Sequence, residues 1–334
     1  MEQFDIPVVL FLFRRSDTLP RIIGTIAKVK PQKLYLLCDQ GRNEEERLQV
    51  ELTRKTAESL ITWPCELVKN YADNNRGVYG NIGLGAKWVF EREEYAIFLE
   101  DDNLPEESFF RYCRELLFRY KSNNQIMWIC GTNYLGEYRN KREESYMFTR
   151  NLLPCGWASW SEKFLKYYDF GFESVKSEEE IKDIRGSYLT SRLYRQEQDS
   201  ILSEYRQGKS KGRYRSWDYH MIFSIRKNNM LGISPAVNLI RNIGVDDISE
   251  HGGSNMKDVM TKRFCEIPIC PIESSLRHPL SIEIDKDYEK KIEKVITKPY
   301  SQEISTKVAV LLRRLFKIPD GVSTKSFFIN KRKS

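Results

Sequence analysis

The chain has 334 residues, 40% apolar and 30% charged, a globular composition that excludes an intrinsically disordered polymer. Its net charge of +7 is densest toward the C-terminus; such a modest excess suits an anionic ligand or membrane surface, and nucleic acid is not specifically indicated. Seven cysteines without CxxC pairing and only three histidines exclude zinc-finger spacing, and thiols set in apolar runs fit a reducing cytoplasm.

Residues 8–13 read as a buried strand closed by Arg14 and Arg15. The run is too short for a secretory signal or a membrane span, so neither is expected. Residues 17–29 are helical, with Leu19, Ile22, Ile23 and Ile26 at spacings of three and four. Residues 33–38 form a second strand ending in Asp39, and 43–61 a polar-faced helix with an Asn cap. A third strand at 65–70, a helix at 77–93 and a fourth strand at 95–99 complete the first half. Strands spaced by helices predict an α/β fold with a mostly parallel central sheet. In such sheets ligands bind beyond the carboxyl ends of the strands, where Arg14, Asp39, Asn70 and an acidic triplet fall.

That triplet, Glu100, Asp101 and Asp102, closes the fourth strand. Three unpaired carboxylates are prohibitively costly in low dielectric, and much less so around a cation. Hard oxygen ligands suit Mg²⁺ or Mn²⁺, whose open positions a substrate's phosphates fill. The competing reading is capping of the next helix, with Asn103 as N-cap, Pro105 in the first turn, and Glu106 and Glu107 favourable to the dipole. Capping leaves three acids in a row unexplained, so metal binding leads.

The second half reads differently. Residues 126–133 and 146–150 are strands, and 155–160 an aromatic, small-residue loop. Residues 173–215 are strongly charged and too poor in apolar side chains for a core of their own, which predicts a mobile flap or acceptor-facing insertion. Residues 230–242 return to strand character, and the first domain is expected to end near 265. In the extension, 266–334, a basic helix at 307–316 carries Val308, Leu311, Leu312, Leu315 and Phe316 on one face. It fits an anionic membrane surface or a docking face on the first domain, and Lys331, Arg332 and Lys333 tilt the balance toward the membrane.

Several stretches occur in the order of a known family: the opening strand with Arg14, the strand ending in Asp39, residues 74–81, the triplet with its following helix, Pro154-Cys155-Gly156-Trp157, and Ser216-Trp217-Asp218-Tyr219. Over roughly residues 5–255 the chain resembles bacterial GT-A glycosyltransferases of the nucleotide-diphospho-sugar transferase superfamily, in the group similar to N-acetylglucosaminyltransferase I. The resemblance implies a metal-dependent, inverting hexosyl- or N-acetylhexosaminyltransferase. Its cofactor would be Mn²⁺ or Mg²⁺, its donor a nucleotide-sugar (UDP-linked by expectation), and its acceptor a glycan or lipid-linked hydroxyl. Such an enzyme would serve capsule, lipopolysaccharide or related polysaccharide synthesis from the cytoplasm, peripheral to the inner face of the plasma membrane.

By the same resemblance Asp102 is the direct metal ligand. Glu100 and Asp101 bind ribose or sugar hydroxyls or support the metal. Asp39 contacts the nucleoside, and Gly156 and Trp157 lie near the donor sugar and acceptor. Arg14 and Arg76 suit a diphosphate, with a surface ion pair an equal reading for Arg76. Asp218 is the general base, beside a Trp217 that desolvates it or stacks on a sugar. On local pattern alone Trp217 is core and Asp218 caps the helix that follows; the resemblance reverses this. His251, next to two glycines, is placed at the metal or diphosphate, with simple exposure the alternative. A sugar-nucleotide nucleotidyltransferase and a retaining glycosyltransferase stay open. Residues 13–20 lack the Gly-rich phosphate loop of the former, and only Asp218 argues against the latter.

Overall fold

The structure is a computed structural model describing residues 4–245 and 255–302, with a few isolated positions beyond. The chain divides into two units, Met1–Ile296 and Thr297–Ser334. His251 and most of residues 307–316 lie outside the described residues.

The first unit alternates strand and helix as its hydrophobic pattern requires. In chain order these are β1 (Val8–Leu12), α1 (Leu19–Val29), β2 (Lys33–Cys38), α2 (Glu44–Leu60) and β3 (Glu66–Tyr71). A π-helical turn, Tyr79–Gly83, then leads into α3 (Leu84–Phe90), β4 (Tyr95–Glu100) and β5 (Asn103–Pro105). Every residue of β1 is buried, because it is flanked by parallel β2 and β4 and covered on both faces. Alternation divides it cleanly. Val8, Leu10 and Leu12 join the core that contains α1, while Val9 and Phe11 join the one that contains α3.

Farther on come α4 (Ser108–Arg119), β6 (Ile126–Cys130), β7 (Tyr146–Thr149), β8 (Trp157–Trp160) and α5 (Ser161–Tyr167). The rest comprises α6 (Glu178–Lys182), α7 (Ser191–Lys211), α8 (Asp218–Lys227), β9 (Leu231–Pro235), β10 (Ile240–Asn242), α9 (Val259–Phe264) and α10 (Lys286–Ile296). One mostly parallel sheet of eight strands runs β3-β2-β1-β4-β8-β6-β9-β7, and β8 and β7 oppose the other six. This is the α/β architecture with a mostly parallel central sheet flanked by helices that the alternating pattern predicts.

Four sequence expectations change. Residues 157–160 are not loop: β8 lies between β4 and β6 at the centre of the sheet, and all four of its side chains are buried. Asn103 does not cap α4. It begins β5, pairs with Asn242 of antiparallel β10, and accepts the Gly156 N–H at 2.9 Å. The 173–215 segment is no loose flap, for Val175, Ile181, Ile184 and, on α7, Leu193, Ile201 and Leu202 are buried in one core with Met221, Phe223 and Ile225 of α8. Its charge lies mostly on the outer faces, so its few apolar residues suffice when α8 supplies the opposite wall. Residues 266–296, grouped by sequence with the extension, are built into the first unit, where Tyr288 and Ile292 of α10 are fully buried.

Candidate functional site

The carboxyl ends of β1, β2 and β4 open on a cavity of about 260 Å³. Phe13, the first residue beyond β1, donates its N–H to Asp101 Oδ2 at 2.7 Å, and Thr18 Oγ donates to the Asp101 carbonyl oxygen. Asp101 thereby staples the β1 exit to the β4 exit. Asp102 accepts the side-chain amide of Asn103, and Ile243 N–H donates to the Asp102 carbonyl oxygen at 2.8 Å. Gly244 presses so closely that a Cβ there would lie 2.5 Å from Asp102 Oδ2. Only glycine fits. Glu100, Asp101 and Asp102 all line the cavity, and Asp218 lines it too.

These acids crowd one another. Burial, then Asp102, Asp101 and Asp218, push the Glu100 carboxyl well above the usual range. Burial and Asp102 push Asp101 up to about 7. Burial raises Asp102 as well, opposed first by the Arg15 guanidinium and then by Asn242 and Asn103. Arg15 is buried and donates to the Gly244 carbonyl oxygen at 3.1 Å. It is the cation that the sequence reading passed over. Its neighbour Arg14 also lines the cavity, but its guanidinium is bonded to Glu46 at 2.9 Å. Arg42 shares that carboxylate at 2.6 Å, and the Arg42 bonds, aided by Arg14, hold Glu46 down at about 2 despite its burial. The spacing of Arg42 and Glu46, four residues apart, was the readable signal for this clamp.

Asp39 lines the cavity with its carboxylate already engaged. Its Oδ1 accepts the N–H groups of Gln40 and Arg76 at 2.8 and 2.7 Å; its Oδ2 accepts Gly77 N–H at 2.9 Å and Asn75 Nδ2 at 3.0 Å. Four acceptor positions meet four protein donors, so Asp39 shapes the 75–77 loop. Burial raises its pKa, and those backbone bonds oppose the rise. Arg76 and Asn70 do not line the cavity; they bond to each other at 2.9 Å on the surface.

Gly156 and Trp157 also lie outside the cavity lining, for a packing reason. Gly156 has φ +61°, and a Cβ there would meet Ile240 at 2.5 Å. Trp157 is buried in a stack, 4.1 Å from the Phe98 ring and 5.5 Å from the Trp217 ring by centroids. Pro154 and Cys155, just before them, are what the cavity sees. Trp217 contributes an edge to the lining while remaining 4% exposed. Asp218 opens α8, and its Oδ1 accepts from Ser216 Oγ and from Tyr219 N–H at 3.0 Å. Asp218 lines the cavity as the first residue of α8, and the cap position falls on Trp217 with no side-chain capping bond, so the capping reading of Asp218 is not realised.

The donor set suits a hard divalent cation: oxygen ligands, surplus negative charge and a cavity beside them. Among the described residues no three Asp, Glu, His or Cys side chains converge into a ready-made cage. A cation here would be held by one or two carboxylates and completed by a ligand's own oxygens.

No protein-family model matches the chain, and neither does any curated protein. Among solved structures it is similar to the mannosyltransferase PcManGT from Pyrobaculum calidifontis in complex with GDP-Man and Mn²⁺, at 10% identity and TM-score 0.36, over 68% of this chain and 70% of that one. It is similar to a UDP-glucose pyrophosphorylase complexed with UDP-glucose at 9% identity and TM-score 0.37, over 72% of this chain and 94% of that one. An inositol-1-phosphate CTP transferase from T. maritima matches at 10% identity and TM-score 0.33, over 70% and 86% of the two chains. Likeness this distant assigns no activity.

Proposed function

We propose that the chain is a metal-dependent, inverting glycosyltransferase that moves a sugar from a nucleotide-sugar, UDP-linked by the family resemblance, to a hydroxyl of a glycan or lipid-linked acceptor. The observation that carries this reading is the meeting of the Glu100–Asp101–Asp102 triplet and Asp218 in one cavity at the carboxyl ends of parallel strands. In the transfer, an acceptor hydroxyl attacks the anomeric carbon, the bond to the diphosphate oxygen breaks, and Asp218 takes the hydroxyl proton. Ser216 and the Tyr219 amide fix that carboxylate through Oδ1. Arg15 offers its guanidinium charge to the diphosphate, and Arg14 and Arg42, clamped on Glu46, add positive charge to the same lining. A Mg²⁺ or Mn²⁺ ion held by Asp102 would neutralise the charge that develops on the leaving diphosphate.

Incubation with UDP-, GDP-, CMP- and dTDP-sugars and Mn²⁺ tests the proposal. Release of free nucleoside diphosphate supports it. Pyrophosphate exchange would assign a nucleotidyltransferase, and no turnover with any donor would overturn both. Among the described residues no helix is long and apolar enough to cross a membrane. Peripheral attachment through the basic 307–316 segment belongs to the same proposal. Liposome flotation with and without residues 305–334 checks it, and equal flotation of the two would refute attachment.

A further inference from the structure

One side chain in the cavity wall carries a buried polar atom without a partner among the described residues. Asn81 lies in the π-helical turn Tyr79–Gly83, between the exit of β1 and the Trp217 segment. On one side its Nδ2 donates to the Leu12 carbonyl oxygen at 3.5 Å. On the other, Gly83 of the same turn sits so close to Trp217 that an added Cβ would lie 3.2 Å from the Trp217 Cβ. Asn81 is only 6% exposed, and it lines the cavity. Its Oδ1 is buried with no hydrogen-bond partner among the described residues.

The long contact to Leu12 favours the amide with Nδ2 toward that carbonyl, because the reversed amide would set two oxygens against each other. The carbonyl oxygen is thus left without a donor, in a side chain that lines the cavity. A buried carbonyl without a donor is costly, and such groups in folded proteins are nearly always satisfied. Val78, Ile82 and Phe11 line the cavity nearby and supply no donor side chain. A π turn inserts one extra residue into a helix, and such turns recur at functional sites.

We infer that Asn81 is a specificity residue whose Oδ1 accepts a hydrogen bond from an O–H or N–H group of the bound nucleotide-sugar. The inference rests on the proposed use of a nucleotide-sugar and adds to it a residue and a direction: the ligand donates, the protein accepts. The donor group belongs to the nucleoside or to the transferred sugar, and binding measurements separate the two.

Calorimetric titration of the full chain with UDP and with UDP-glucose, each with Mn²⁺, is compared between wild type and Asn81→Ala. Losing one buried hydrogen bond weakens binding by about 5- to 100-fold. Equal loss for both ligands places the donor on the nucleoside. Loss confined to UDP-glucose places it on the sugar. Unchanged affinity for both overturns the inference while leaving the proposed function standing. Absence of binding by wild type across a panel of UDP-, GDP-, CMP- and dTDP-sugars overturns the two together. Should Asn81→Ala lose its thermal unfolding transition, Asn81→Gln, which keeps the amide but displaces it by one methylene, carries the same comparison with the same outcomes.

Discussion

Two of the buried charge clusters in the first unit are built on opposite plans. At the strand ends, Glu100, Asp101, Asp102 and Asp218 share a cavity, and Arg15 is the buried guanidinium that draws the triplet's pKa values down. Beneath the 173–215 segment the plan is the reverse, with one guanidinium and many partners. Arg226 is ion-paired with Glu197 at 3.4 Å, donates to Ser187 O and Asn151 Oδ1 at 2.8 Å each, and lies 3.4 Å over the Tyr188 ring. Its side chain is completely buried. The second cluster closes on itself and does mechanical work, tying α8 to α7 and to the Tyr188 turn. The first keeps an excess of acid facing open space. Burial alone does not mark a site; uncompensated charge beside a cavity does.

The comparison breaks most visibly at Asp102. In the proposed function Asp102→Asn abolishes Mn²⁺-dependent UDP binding and sugar transfer, yet leaves the melting temperature equal or raised, since it removes one charge from a crowded group. Calorimetry and a thermal scan read both halves. Metal-stimulated UDP binding that survives the substitution would remove the metal assignment. Next in size is Asp218→Asn, expected to lower turnover by about 10²–10⁴-fold with donor binding preserved, the cost of losing a general base. Turnover equal to wild type would place the base elsewhere.

How far these two clusters could be read in advance differs for a physical reason. β1, β2 and β4 announce themselves as unbroken apolar runs, and the triplet follows β4 directly, so the acidic cluster is local in sequence. β8 is hidden because Trp157-Ala-Ser-Trp160 has no strand-length apolar run, and its place depends on antiparallel pairing with both β4 and β6. Gly156 and Trp157 are placed at the site by the family resemblance alone, and in the fold they pack against Ile240 and Phe98. Asp39 was legible as a strand-end acid, but its saturation by the 75–77 amides is a property of loop conformation. Arg226 carries no local signal at all. Its partners are 29, 39 and 75 residues away, and only the fold brings them together.

That non-local cluster supplies the third test. Arg226→Ala leaves Glu197 buried without its cation, and burial already pushes the Glu197 pKa up against the pull of Arg226. A loss of about 3–5 kcal/mol in urea unfolding is expected, the cost of breaking a buried ion pair on one side. Replacing both residues, Arg226→Met with Glu197→Leu, should recover most of that loss. Recovery would identify a structural pair. If the double variant instead stays folded but loses donor binding, the closed cluster communicates with the cavity and the contrast between the two regions fails.

The smallest expected effect concerns His220, which follows Asp218 by one turn-half of α8 yet belongs to the closed region. Its ring is completely buried, with Phe172 at 4.2 Å, Tyr214 at 4.5 Å, Tyr79 at 4.8 Å and Tyr168 at 6.0 Å by centroids. Nδ1 lies 2.7 Å from the Asp169 carbonyl oxygen, which assigns the proton to Nδ1 in the neutral ring. Burial pushes its pKa down to about 4, against the opposing pull of the Asp169 carbonyl and the more distant Glu204 and Asp169 carboxylates. Between pH 6.5 and 4 the unfolded chain binds a proton that the folded chain refuses, so folding stability falls as pH is lowered through that window and levels below it. The loss attributable to this one side chain is about 3 kcal/mol. Urea unfolding of wild type and His220→Gln at pH 7 and pH 4 isolates it, because every other titrating group is common to both proteins. The variant should lose less stability on acidification by about that amount. Equal losses would show that the imidazole is charged in place, and the aromatic shell would then belong with the open, charge-bearing region instead of the closed one.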